Sequence, residues 1–200
     1  MRFRPVIVAL FLVSAVTVRG STAEQQHAIS VLYRRGLGGD NAAVIECIDK
    51  LEAELKADPA NQIARVYLGS AYTLQSRDLG YGPKKLQTLN HGVALMDEAV
   101  ASRPDDTKVR LARALTTQAL PFFTGGAASS RKDFELLATA AERAPHKFEE
   151  GDLQIIFYNA GVAAKGSGQR ERARALFQQA AKHRVDATLA PKVEAALADL

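Results

Sequence analysis

Apolar side chains recur at three- and four-residue spacing along almost the whole of this chain, and that period decides what it can fold into. Val44, Ile48, Leu51 and Leu55 make one stripe, Leu86, Leu89, Val93, Met96 and Val100 a second, and Leu136, Leu137, Ala140 and Ala141 a third. Residues three and four apart share one face of an α-helix, whereas a strand alternates by twos. The sequence shows no alternating β-branched segment. Breaks fall at Gly36-Leu37-Gly38-Gly39, Asp58-Pro59, Leu79 to Pro83, Arg103-Pro104, Gly125-Gly126, Ala144-Pro145 and Gly166-Ser167-Gly168. Glycine and proline end helices there, and Asp40, Pro83, Ser129 or Ser130, and Asp152 supply start signals. The pattern predicts an all-α fold of about eight helices and a short terminal one.

Composition fits a packed domain. The 200 residues are 47% hydrophobic and 24% charged, and the single cysteine, Cys47, closes no intramolecular disulfide and builds no cysteine-based zinc site. The fold has to hold by packing alone.

The helices come in similar pairs. Arg-x-Asp-x-Thr occurs at 103–107 and again at 184–188, two units of about 40 residues apart. In the stretch 154–187, Ala160-Gly161 and Ala164 stand in a first helix, Gly168 in the turn, and Ala173, Phe177 and Ala180 in a second helix. Earlier, Leu68-Gly69 with Tyr72 is followed by Gly92, Met96, Ala99 and a closing Pro104. These positions resemble the tetratricopeptide repeat, whose signature places Leu-Gly-x2-Tyr in one helix and Ala-x3-Phe in the next. The resemblance covers roughly residues 28–188. Arg34 and Arg35 occupy the Leu-Gly places of the first unit, and the closing positions 59, 104, 145 and 185 are spaced more widely than in the plain repeat. The excess falls mainly in two loops, 77–83 and 121–130.

The resemblance implies a right-handed solenoid of antiparallel helix pairs, about four units plus a terminal helix, with first helices lining a concave groove. Small residues such as Gly69 and Gly161 would mark close helix crossings, with Tyr72 and Phe177 between one pair and the next. Mapped by repeat spacing, the groove would take Ser70, Thr73 and Leu74 from the second unit, Arg113 from the third, and Tyr158, Val162 and Lys165 from the fourth. The Lys and Asn with which some members grip a terminal carboxylate are replaced by Val66, Ser70, Tyr158 and Val162.

Residues 1–23 read as a secretory signal. Arg2 and Arg4 precede an apolar run from Val6 to Val18, and Ser21-Thr22-Ala23 offers small side chains for cleavage after Ala23, leaving residues 24–200 as the repeat domain. The run is too short for a lasting membrane anchor, which needs roughly 20 apolar residues. Losing Arg2, Arg4 and Arg19 takes the net charge from +4 to about +1, which removes the case for a nucleic-acid surface. Export implies the periplasm or secretion.

Chemistry-bearing motifs are sparse. His27, His91, His146 and His183 fall in different units with no metal-ligand spacing. Gly80-Tyr81-Gly82-Pro83-Lys84-Lys85 lacks the strand and the Lys-Ser/Thr ending of a phosphate loop. Cys47, on an apolar stripe, reads as a buried inert thiol. The leading expectation is a non-catalytic, cofactor-free adaptor that binds a protein or peptide in the cell envelope. The alternatives are an enzyme, or enzyme subunit, with its site on loops 77–83 and 121–130, and a structural self-assembling protein.

Overall fold

The computed structural model describes residues 23–121 and 124–200; apart from Ala23, the expected signal segment lies outside the described residues. Nine α-helices follow one another among the described residues: α1 (Ala23–Leu37), α2 (Asn41–Ala57), α3 (Gln62–Asp78), α4 (Pro83–Ser102), α5 (Thr107–Gln118), α6 (Gly126–Arg143), α7 (Glu150–Gly166), α8 (Arg170–Ala180) and α9 (Ala190–Ala198). A short 3-10 turn, Pro145–Lys147, precedes α7, and there is no strand among the described residues. The all-α expectation and the helix count hold there. None of the described helices is long and apolar enough to cross a membrane.

Local chemistry sets the boundaries. Asp40, Asn61 and Asp106 cap α2, α3 and α5, each side-chain oxygen accepting from a backbone N–H of the first turn. Two expected starts move. Gly125 adopts a left-handed conformation, φ 73°, and starts α6 at Gly126, ahead of Ser129. Glu149 takes the capping place of α7, so Asp152 lies inside its first turn.

Consecutive helices form antiparallel pairs whose contacts run in reverse order. Within α1 and α2, Gly36 lies on Val44 while the Cys47 thiol sits by the Ile29 carbonyl. Within α3 and α4, Arg65 pairs with Glu98 and Gly69 lies on Gly92 and Met96. Within α7 and α8, a Cβ added at Gly161 would stand 2.6 Å from the Phe177 ring. Phe177 thus packs inside its own pair, where the sequence reading had it between pairs; the missing side chain at 161 makes room for the ring. Tyr72 does reach across, donating a hydrogen bond to Glu52 of the preceding pair.

The core is distributed along the stack. One cluster joins α1, α2 and α3, a second joins α3, α4 and α5, and the largest runs from α5 to α9 around Phe134, Leu137, Ile156 and Phe177. Each such large apolar side chain, taken fully out of water, contributes about 1.5–3 kcal/mol before entropy is counted.

Two junctions are built alike. The Arg65 guanidinium donates to the Pro59 carbonyl (2.8 Å) and pairs with Glu98 on the next helix (2.6 Å). Arg110 does the same with the Pro104 carbonyl (2.6 Å) and with Asp133 (2.7 Å). In each case the proline, the Asn or Asp cap and the arginine keep the same order and spacing. Between α5 and α7, Lys108 reaches Glu149 and Gln118 reaches Asn159, both bonds spanning 41 residues of chain. A constant offset means that these two helices run parallel, neighbours in one layer.

Candidate functional site

The layer of first helices, α1, α3, α5 and α7, carries all the positions expected in a groove, and it closes over several of them. Ser70 is 1% exposed; its hydroxyl hydrogen-bonds to the Tyr33 hydroxyl at 2.6 Å and the Thr116 hydroxyl at 2.8 Å. Thr73 is buried and donates to the Ser70 carbonyl, and Leu74 packs toward Gly36. The small Ser70 lets α1 and α5 approach α3 from both sides, while Thr73 faces Gly92 of α4. Ser70 and Thr73 are therefore helix-to-helix packing and not an open surface, as is Val66, which is fully buried.

The remaining expected positions scatter. Arg113 turns into its own pair, with Nε and one amino group on Asp133 at 2.8 Å and the other on Asp97 at 2.9 Å. Asp133 is wholly buried between Arg110 and Arg113, and such a charge is tolerated because both its oxygens are bonded. Tyr158 is half-buried, its ring centroid 6.0 Å from that of Phe177. Lys165 reaches Asp199, just past α9, at 2.5 Å. Val162 is exposed beside a shallow cleft of about 210 Å³ that also touches Ser130 and Asn159.

What stays open is the N-terminal half of the layer. Ile63 and Tyr67, one turn apart on α3, are each 37% exposed. They and Ile29 and Tyr33 of α1 wall a cleft of about 540 Å³ floored by Leu51 of α2. The Tyr33 and Tyr67 rings meet edge to face, centroids 5.4 Å apart at 80°, the arrangement that aromatic quadrupoles favour. Cleft and aromatic walls suit a bulky apolar group. Arg34, at the rim, is bent back onto the Ser30 carbonyl, and Glu54 accepts from the Asn61 amide.

Electrostatics continue the site beyond Tyr67. Burial raises the Tyr67 phenol above its ordinary value, with Tyr33 and then the Asp152 carboxylate adding to the effect and the Lys108 ammonium opposing it. Lys108 is bonded to Glu149 at 2.9 Å. Asp152, half-buried in the first turn of α7, has its carboxyl raised by burial first and by Glu149 second, against the pull of Lys108. No base lies within ion-pair distance of Asp152 among the described residues.

Tyr33, Tyr67 and Asp152 were not singled out from sequence. A signal existed for Tyr67: with Ile63 it forms an apolar pair at four-residue spacing beside the stripe of Ala64, Leu68 and Ala71 that the core takes. For Asp152 the capping role predicted from its place before Leu153 hid any other.

Elsewhere the chemistry is structural. His91 stands edge-on to Tyr72, and the Tyr72 phenol is pushed up to about 12 by burial and by its bond to Glu52. His183 holds Glu150 at 2.5 Å and stacks on Phe157. No three metal-ligating side chains converge among the described residues. In loop 77–83, Arg77 binds Asp78 and the Gly36 carbonyl, and Lys85 closes on the Arg77 and Leu79 carbonyls. No bond links this loop to the described part of 121–130. Comparison with protein-family models, curated proteins and solved structures finds no match to this chain.

Proposed function

We propose that the chain is a tetratricopeptide-like right-handed solenoid of four helix pairs closed by α9, exported to the cell envelope by a cleaved signal, where it serves as a non-catalytic adaptor. Its partner, a peptide or a helix of another protein, lies across the C-terminal half of α1 and the N-terminal halves of α3, α5 and α7, the concave side in this reading. The matched junctions at Arg65 and Arg110 and the parallel α5 and α7 support the repeat architecture. The observation that carries the binding role is the pair Tyr33 and Tyr67 beside exposed Ile63: a helix layer with no partner to find has no use for an open aromatic cleft, and tyrosine makes contact area at low rotamer cost.

Site-directed photo-crosslinking in the producing cells tests it. A benzoylphenylalanine at Tyr67 or Ile63 should trap a discrete partner, and one at exposed Leu136 on α6 should not. Equal trapping from both faces, or none from α3, overturns the proposal.

A further inference from the structure

Resting on that reading of the open face, we infer that the bound segment presents a bulky apolar side chain to the Tyr33 and Tyr67 cleft and a lysine or arginine to Asp152. The two halves of the site meet at one residue. Tyr67 walls the cleft with its ring. Ser70, one turn later on α3, bonds to Thr116 of α5, and the 41-residue offset between α5 and α7 puts Thr116 level with Phe157, so Tyr67 and Asp152, three and five residues before those positions, stand at the same end of the layer. A segment filling the cleft therefore continues directly onto the carboxylate.

The charge balance of the face selects the sign. Lys108 is taken by Glu149, Glu54 by Asn61, and the guanidinium of Arg34 is turned onto its own helix. Asp152 is half-buried, has no base within ion-pair distance among the described residues, and lies one turn after Glu149. An arriving cation recovers the interaction that burial denies the carboxylate; an arriving anion meets two acids. Asp152 lies in the first turn of α7, where the helix dipole favours negative charge. The order of elements also fixes the layout of the partner: apolar anchor over α1 and α3, base over α7.

Panning a random dodecapeptide display library against the purified protein tests this. Enriched peptides should carry Phe, Tyr, Leu or Ile together with Lys or Arg at one recurring spacing. For one such synthetic peptide, fluorescently labelled, Asp152→Asn should weaken binding about fivefold or more and flatten its salt dependence, and Tyr67→Ala should weaken it about tenfold or more. Tyr67→Phe, which keeps the ring, should retain most of the affinity, and urea midpoints measured on every variant separate lost contact from lost fold. If Tyr67→Ala abolishes binding while Asp152→Asn leaves it within about twofold, or if acidic peptides are enriched, the charge assignment falls and the binding face stands. No enrichment, or binding indifferent to Tyr67→Ala in a folded variant, overturns both.

Discussion

Gly69 and Gly92 meet backbone to backbone: a methyl group placed on either would stand 2.5 Å from the carbonyl oxygen of the other. No real Cβ tolerates that distance, so α3 and α4 have to separate to admit one. Gly69→Ala or Gly92→Ala should each destabilise by about 1–3 kcal/mol through overpacking. Gly166, at the end of α7 with nothing within 4 Å of an added Cβ, provides the contrast: Gly166→Ala should be neutral or stabilising by up to about 1 kcal/mol. Urea unfolding of the three variants decides it, and equal losses would refute the crossing.

Asp133 predicts a different failure. It is buried between two guanidiniums, so Arg113→Ala, at a position expected from the repeat pattern to touch a partner, should instead cost stability, about 3–5 kcal/mol, by leaving buried charge poorly paired. The double change Arg113→Met with Asp133→Leu should cost clearly less than the single removal. A double-mutant cycle by chemical denaturation measures the difference.

Cys47 should be silent until the chain unfolds. The thiol is 1% exposed, and burial pushes its pKa to about 11, so almost no reactive thiolate exists near neutrality. Ellman's reagent at pH 8 should modify native protein only at the rate of opening, and react at once in 6 M guanidinium chloride. Rapid labelling of the folded chain would contradict this packing.

Acid should act in opposite senses on two aspartates. Asp40 accepts from the Ala43 amide and from Arg35, which hold its carboxyl below the ordinary 3.8. Its contribution is whole above that value and is lost as pH falls through the lowered one. Protection of the Ala43 amide against exchange, taken relative to its intrinsic rate, should fall in that window, and Asp40→Asn should remove that pH dependence of the protection. Asp152 is raised, so the folded chain takes up its proton first and gains stability as pH falls through the raised value toward 3.8. Asp152→Asn should remove that gain from a pH series of urea midpoints.

Helices were legible because their signals are local: Asp40 caps, Pro83 starts and Gly168 turns according to chemistry each carries itself. The Leu68-Gly69 pair even marked a crossing, since only a missing side chain allows that approach. The candidate site was harder. Ser70 and Tyr67 both sit on α3, yet one is sealed by Tyr33 and Thr116 and the other left open. Which outcome falls to which residue depends on how far α1 and α5 close along the layer, and no periodicity within α3 encodes its neighbours' reach. Arg113 misled for a related reason: its partner, Asp133, lies in the next helix. The shared Pro-x-Asn/Asp-x3-Arg pattern was readable at both junctions, but its meaning, an arginine returning to the proline carbonyl, needed coordinates.

That returning arginine gives the chain a way to change length. A copy of residues 60–104 inserted after Pro104 would bring its own Asn61 cap, its own Arg65 to grasp the proline now preceding it, and its own Glu98 to complete the pair. The original Arg110 would find at the end of the copy the same Pro104 it holds now. Duplication in register would thus keep every arginine-to-proline joint, so the extent of the open face, and with it the length of partner it accommodates, is a quantity that a single recombination event can alter while those joints find their partners unchanged.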